Sequence, residues 1–154
     1  MRKRVIEQPS DDSAAEPWLN LEPLAQVEVT SEDAAHPIES ALLLGAHTGW
    51  YAAAPGEQLI RILFDEPQKL SRVLLSFVEE NDTRTQEFVL RARSTGQLFQ
   101  EVARQQYNFS PGGATREVED YTLNLKAVEA LELRIIPDIS GGRARASLER
   151  LRLA

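Results

Sequence analysis

The feature that most restricts the fold of this chain is a two-residue alternation of apolar and polar side chains. It returns from residue 26 to the end, cut short each time by a turn signal. Successive side chains on a strand point to opposite faces, so such runs build half-buried strands and do not form the apolar stripe of a helix. Residues 26–30 carry Val27 and Val29 on one face, and 58–64 set Ile60, Ile62 and Phe64 against Leu59, Arg61 and Leu63. In 70–78, Val73, Leu75 and Phe77 share a side while Arg72 and Ser76 face away, and in 87–93 Phe88, Leu90 and Ala92 alternate with Arg91 and Arg93. Segments 98–103, 120–125, 130–136 and 146–153 continue the series, the last changing phase between Leu148 and Leu151 as a bulge requires. Pro55-Gly56, Asp65-Glu66-Pro67, Asn81-Asp82, Thr95-Gly96, Pro111-Gly112-Gly113 and Gly141-Gly142 punctuate the runs. About eight strands at this spacing predict an all-β chain, an antiparallel β-sandwich or jelly roll. A helical period is weak and confined to 31–44, where one short turn of helix is expected.

Residues 1–24 read differently. Pro9, Ser10, Asp11, Asp12, Ser13, Glu16, Pro17 and Pro23 leave little apolar surface to offset the entropy of ordering. The expectation is a mobile acidic arm over 1–24 and a single domain over 25–154. Trp18, Leu19, Leu21 and Leu24 form a short apolar patch that is expected to dock on the domain, the alternative being a recognition segment for a partner. Residues 1–40 hold 9 acidic and 3 basic side chains, whereas 41–154 hold 15 and 14. The net charge of −7 is therefore expected to sit mainly in the arm and to leave the sandwich near neutral. A local balance of 11 basic to 9 acidic groups over 84–154 is too small for the electrostatic footprint of a nucleic-acid binder.

Cysteine is absent, which excludes disulfides and thiolate metal sites and agrees with a reducing compartment. Met1-Arg2-Lys3-Arg4 is followed by Val5-Ile6-Glu7-Gln8-Pro9, which is not the apolar stretch of a secretory signal. No apolar run approaches the ~18 residues of a membrane span. A cytoplasmic protein is the expectation.

Catalytic patterns are missing. With two histidines, His36 and His47, no cysteine and no serine in a G-x-S-x-G setting, a nucleophilic triad has little to build on. His36 and Glu39 are too few for a metal centre, and His47 lies in a Gly-bounded loop that reads as a turn. Adjacent carboxylates such as Glu79-Glu80 and Glu119-Asp120 point to opposite faces of a strand and make no dyad. The chain is expected not to be an enzyme and to need no cofactor or metal. What remains is a set of planar hydrogen-bonding and aromatic residues in three connections, 81–85, 104–111 and 137–145. These include Arg84, Arg104, Tyr107, Asn108, Phe109 and Arg145. Loops on a rigid scaffold are where binding residues collect, and such groups suit sugar hydroxyls or a peptide.

The order of the signals from Ser31 to Ala154 resembles the discoidin-like, galactose-binding-domain-like superfamily, which includes coagulation-factor type C domains and family 32 carbohydrate-binding modules. The strongest match is the stretch from Ser40 to Trp50, against a family pattern that reads roughly A-x-x-D-G-x-x-x-T-x-W. The strand 58–64 with Asp65-Glu66-Pro67, the strand 70–75, the run from Phe88 to Gly96 and the last strand 146–153 follow in the family's order. Glu32 is similar to a loop glutamate of the sugar-binding members, and His36 is grouped with it as a ligand candidate. Two departures stand out. Leu44 occupies the place of an aspartate that helps to hold a structural calcium, and Tyr51-Ala52 follow Trp50 where many galactose binders have His-Thr. The resemblance implies a non-catalytic domain that binds a carbohydrate, galactoside-like, through the loops at one end. The alternative of the same fold is an intracellular protein-interaction module.

Overall fold

The computed structural model describes residues 1–5, 18–46 and 48–154. The expectations for 6–17 and for His47 lie outside the described residues. The alternating runs form strands β1 (Ala25–Val29), β3 (Gln58–Val78), β4 (Arg84–Ser94), β5 (Gln100–Phe109), β6 (Arg116–Ile136) and β8 (Arg150–Leu153), with a short β2 (Trp50–Tyr51) paired to β7 (Ser147–Leu148). The helical signal is realised as one turn, α1 (Glu39–Leu42).

Two pairs of expected strands are in fact the halves of one long strand each. β3 and β6 pair antiparallel from Gln58↔Ile135 to Val78↔Arg116, with register shifts between Leu63 and Arg72. Ala127, at the bend of β6, takes a positive φ of 51°. Its carbonyl accepts the Thr95 N–H at 2.9 Å. The irregularities bend both strands, so each serves two layers. The first half of β3 pairs with β1 and the second with β8, while the second half of β6 pairs with β4, which pairs with β5. The main sheet runs β1-β3-β6-β4-β5, and the half of β3 that carries Phe77 faces β4. Phe77 stacks on Phe88 there with ring centroids 5.5 Å apart. The core between the layers holds Ile60, Ile62, Leu70, Val73, Leu75, Phe77, Phe88, Leu90, Leu131, Leu133 and Ile135, all at most 1% exposed. Burial of side chains this size contributes about 1.5–3 kcal/mol each.

The folded part reaches further toward the N-terminus than residue 25. The Leu19 N–H donates to the Leu153 carbonyl at 2.7 Å, Asp65 N–H to Leu24 O at 2.9 Å, and Leu21 is buried. The Arg72 guanidinium lies 4.9 Å over the Trp18 ring. The apolar patch thus docks, as its composition implied. The charge expectation changes with it. Residues 1–24 hold only five acids against three bases, whereas Glu28 is on β1 and Glu32, Asp33 and Glu39 belong to the connection beyond it. Most of the negative charge therefore stays with the folded domain.

Candidate functional site

The register brings four connections to one end. Val29 pairs with Ile60 near the start of β3, Glu87 with Ile136, Arg84 with Phe109 and Val78 with Arg116. Connections 30–57, 79–83, 110–115 and 137–146 all open there. Their polar residues fall into a buried layer and an exposed patch.

The buried layer contains two of the expected ligand residues. Arg84 begins β4 and is 4% exposed. Its Nε donates to Glu79 Oε1 at 2.7 Å and its Nη1 to the Pro137 carbonyl at 2.7 Å and to Gln86 Oε1 at 3.3 Å. Its guanidinium lies 4.7 Å over the ring of Phe109, itself 1% exposed. Arg84 and Phe109 are therefore corrected from ligand contacts to core residues, since the inward parity of Phe88 extends back through Gln86 to Arg84. Gln86 Nε2 donates to Glu117 Oε1 at 3.1 Å. Burial, and then the Glu119 carboxyl two residues on along the same face, push Glu117 up to about 8. Its Oε2 and the Tyr121 hydroxyl are buried with no hydrogen-bond partner among the described residues, and burial together with both glutamates raises Tyr121 to about 12. Burial also pushes Glu79 up, but its bond from Arg84 and the Asn81 N–H outweigh this and hold it below the usual range.

Arg104, Tyr107 and Asn108 were expected on a loop and lie instead on β5, whose pairing with β4 runs to Phe109. Arg104 sits mid-strand, exposed, and donates to Glu101 at 2.9 Å and to Glu87. The Tyr107 hydroxyl donates to the Arg116 carbonyl at 2.8 Å, and Asn108 Oδ1 accepts from Thr85 at 2.7 Å. These three occupy the β5 edge. The connection that follows β1 is four strand positions away, roughly 19 Å at the usual strand spacing. The expected set therefore does not converge on one concavity.

The exposed patch gathers the rest. Trp50 is fully buried and its indole N–H donates to the Ser31 carbonyl at 3.0 Å, which pins the connection after β1. The next residue, Tyr51, must face the other way and is 42% exposed. Asp33 N–H donates to Tyr51 O at 2.8 Å and Tyr51 N–H to His36 O at 3.2 Å. His36 Nδ1 is 2.9 Å from Asp33 Oδ2, and its ring meets the Tyr51 ring edge-on with centroids 4.6 Å apart. The hydrogen bond from His36 holds the Asp33 carboxyl below its ordinary range against partial burial, with Arg145 adding a smaller charge effect. Glu32 Oε2 accepts the Ile38 N–H at 2.9 Å, and Arg145 is bridged to Gly56. His36 and Arg145 thus both come close to Asp33, and Glu32 lies in the same connection as Asp33 and His36. Beside Tyr51 a cleft of about 130 Å³ is lined by Thr48, Gly49, Val78, Ser147 and Glu149. Gly49 has a φ of +74°, and a Cβ there would meet the Leu148 carbonyl at 3.0 Å, so the wall needs glycine.

Sequence reasoning missed Asp33 and Tyr51. The alternation after buried Trp50 and the three-residue spacing of Asp33 and His36 were the available signals. It also missed the inward Glu117–Glu119 pair, because only adjacent carboxylates were weighed. Among the described residues no group of three or more His, Asp or Glu is placed to hold a metal, and no helix is long and apolar enough to cross a membrane.

No protein-family model matches the chain, and no curated protein matches it. Solved structures do. The family 32 carbohydrate-binding module of C. perfringens NanJ, in complex with galactose, is 17% identical with a TM-score of 0.64, covering 88% of this chain and 96% of that one. The corresponding module of AlyQ, in complex with 4,5-unsaturated mannuronic acid, is 18% identical at a TM-score of 0.59, covering 85% and 95%. A pectin-binding carbohydrate-binding module is 16% identical at 0.58, covering 84% and 89%. The chain has the discoidin-like β-sandwich fold of these modules.

Proposed function

We propose that this chain is a non-catalytic carbohydrate-binding domain that uses the Tyr51 patch. The observation that carries the reading is an exposed Tyr51 ring beside a fixed Asp33–His36 pair and Arg145, at the end where the long connections open. A sugar lays its C–H face on the ring while neighbouring hydroxyls bond to a carboxylate, an imidazole and a guanidinium, each planar and directional. The cleft is too small to enclose a ligand, which suits one or two rings held at the surface. The neighbours' ligands, galactose, an unsaturated mannuronic acid and pectin, support a saccharide and leave its class to this chain's own residues.

Titration calorimetry with galactose, N-acetylgalactosamine and uronic-acid oligosaccharides tests the reading. Binding is expected for at least one of them, and Tyr51→Ala should weaken it about tenfold, as loss of a stacking face implies, without moving the unfolding midpoint. No heat with any sugar at millimolar concentration overturns the proposal.

A further inference from the structure

Resting on the carbohydrate reading, we propose that the saccharide bears a carboxylate, a uronate in preference to a neutral hexose, and that Arg145 and Arg143 supply the opposing charge. The disposition of the arginines leads to this. Every arginine from Arg61 through Arg134 is ion-paired with a carboxylate of the protein. Arg152 is buried against the Ala41 and Leu43 carbonyls, and Arg150, which likewise has no ion pair among the described residues, lies on β8 beside Glu149 and not on the connection next to Tyr51. Arg143 and Arg145 are exposed and have no ion pair among the described residues. Scarcity of partners is not the reason, because the chain carries 24 acids to 17 bases.

Arg145 lies close enough to Asp33 to favour its charged form, but the Asp33 hydrogen bond goes to His36. Glu32 is likewise engaged by the Ile38 N–H. Arg145 thus remains without an ion pair two residues before Ser147, which pairs with Tyr51, and Arg143 precedes it on the same connection. A guanidinium matches a carboxylate in a planar, two-pronged fit. Asp33 and Glu32 would repel a ligand carboxylate set against them, so the sugar's acid is directed to the arginines and its hydroxyls to Asp33. A neutral hexose offers these guanidinium groups hydroxyl acceptors only, with no charge to match theirs.

The test is calorimetry on the full chain with trigalacturonate, its methyl ester and galactose. Trigalacturonate should bind at least about tenfold tighter than the ester, the scale of one charged hydrogen bond, and the preference should shrink as salt rises. Arg145→Gln should erase the preference, Arg143→Gln reduce it, and Arg104→Gln, an arginine already paired at the far edge, leave it intact. Ester or galactose binding as tightly as the acid overturns the inference while the carbohydrate reading stands, and that comparison needs no variant. If all three fail to bind but another neutral sugar binds, the inference alone falls, whereas another uronate that binds more tightly than its ester upholds it. If no sugar binds, the reading falls with it.

Discussion

Arg84 and Arg145 stand at the same end of the sandwich and meet opposite fates. Arg84 is surrounded on every side by the Glu79 carboxylate, the Gln86 amide, the Pro137 carbonyl and the Phe109 ring, whereas Arg145 faces solvent beside Asp33. The same residue type builds the scaffold in one place and stays available in the other. A polar residue in a connection is therefore no evidence of a site until its partners are known. The buried layer ties two of the connecting segments to the core, and the exposed patch uses the rigidity this provides.

The comparison breaks most visibly at Arg84. Removing one member of a buried, hydrogen-bonded pair leaves the other uncompensated, so Arg84→Ala should cost about 3–5 kcal/mol in urea denaturation. A variant of wild-type stability would mean that the layer does not hold the end together.

Glu117 tests the same layer by pH. Unfolded, its carboxyl ionises near 4.5; folded, it keeps its proton to about 8. Between these values the folded chain binds the extra proton, so raising the pH favours unfolding, and the loss is complete above about 8. Glu117→Gln, which keeps an uncharged side chain of the same shape, should flatten that decline and be the more stable protein at pH 9. Parallel stability curves for the two proteins from pH 5 to 9 would contradict the buried proton.

The exposed patch should respond in the opposite sense. Asp33→Asn removes a carboxylate that the His36 bond helps to hold ionised, and is expected to weaken sugar binding while leaving the unfolding midpoint where it was. A drop in midpoint as large as that of Arg84→Ala would make the patch structural. The smallest effect is expected at Arg104, on the β5 edge, where Arg104→Gln should change neither binding nor midpoint, since exposed pairs contribute little.

Much of the fold was legible. The apolar residues that the alternation turned inward in 58–64, 70–78 and 87–93 are buried, although Leu70, Ser76 and Val89 are buried as well, out of that parity, and the docking of the Trp18–Leu21 segment followed from its apolar side chains. Even the burial of Arg84 was within reach, because continuing the parity of Phe88 by two steps places Gln86 and Arg84 inside. A polar residue at such a position was read as the end of the strand instead. In β5 the run of Arg104, Gln105 and Gln106 hid the strand that pairing with β4 sustains to Phe109.

What the sequence determined by itself is most of the half-buried strands and the face shared by their apolar side chains, because both follow from a two-residue period that needs no distant partner. Which polar residues meet was decided only by tertiary structure. The bends in β3 and β6 fold one layer over the other, set Glu117 against Gln86, and close the 31–38 connection on Tyr51. Those contacts join residues far apart in the chain, and their charges, their protonation and their freedom to bind exist only once the layers have come together.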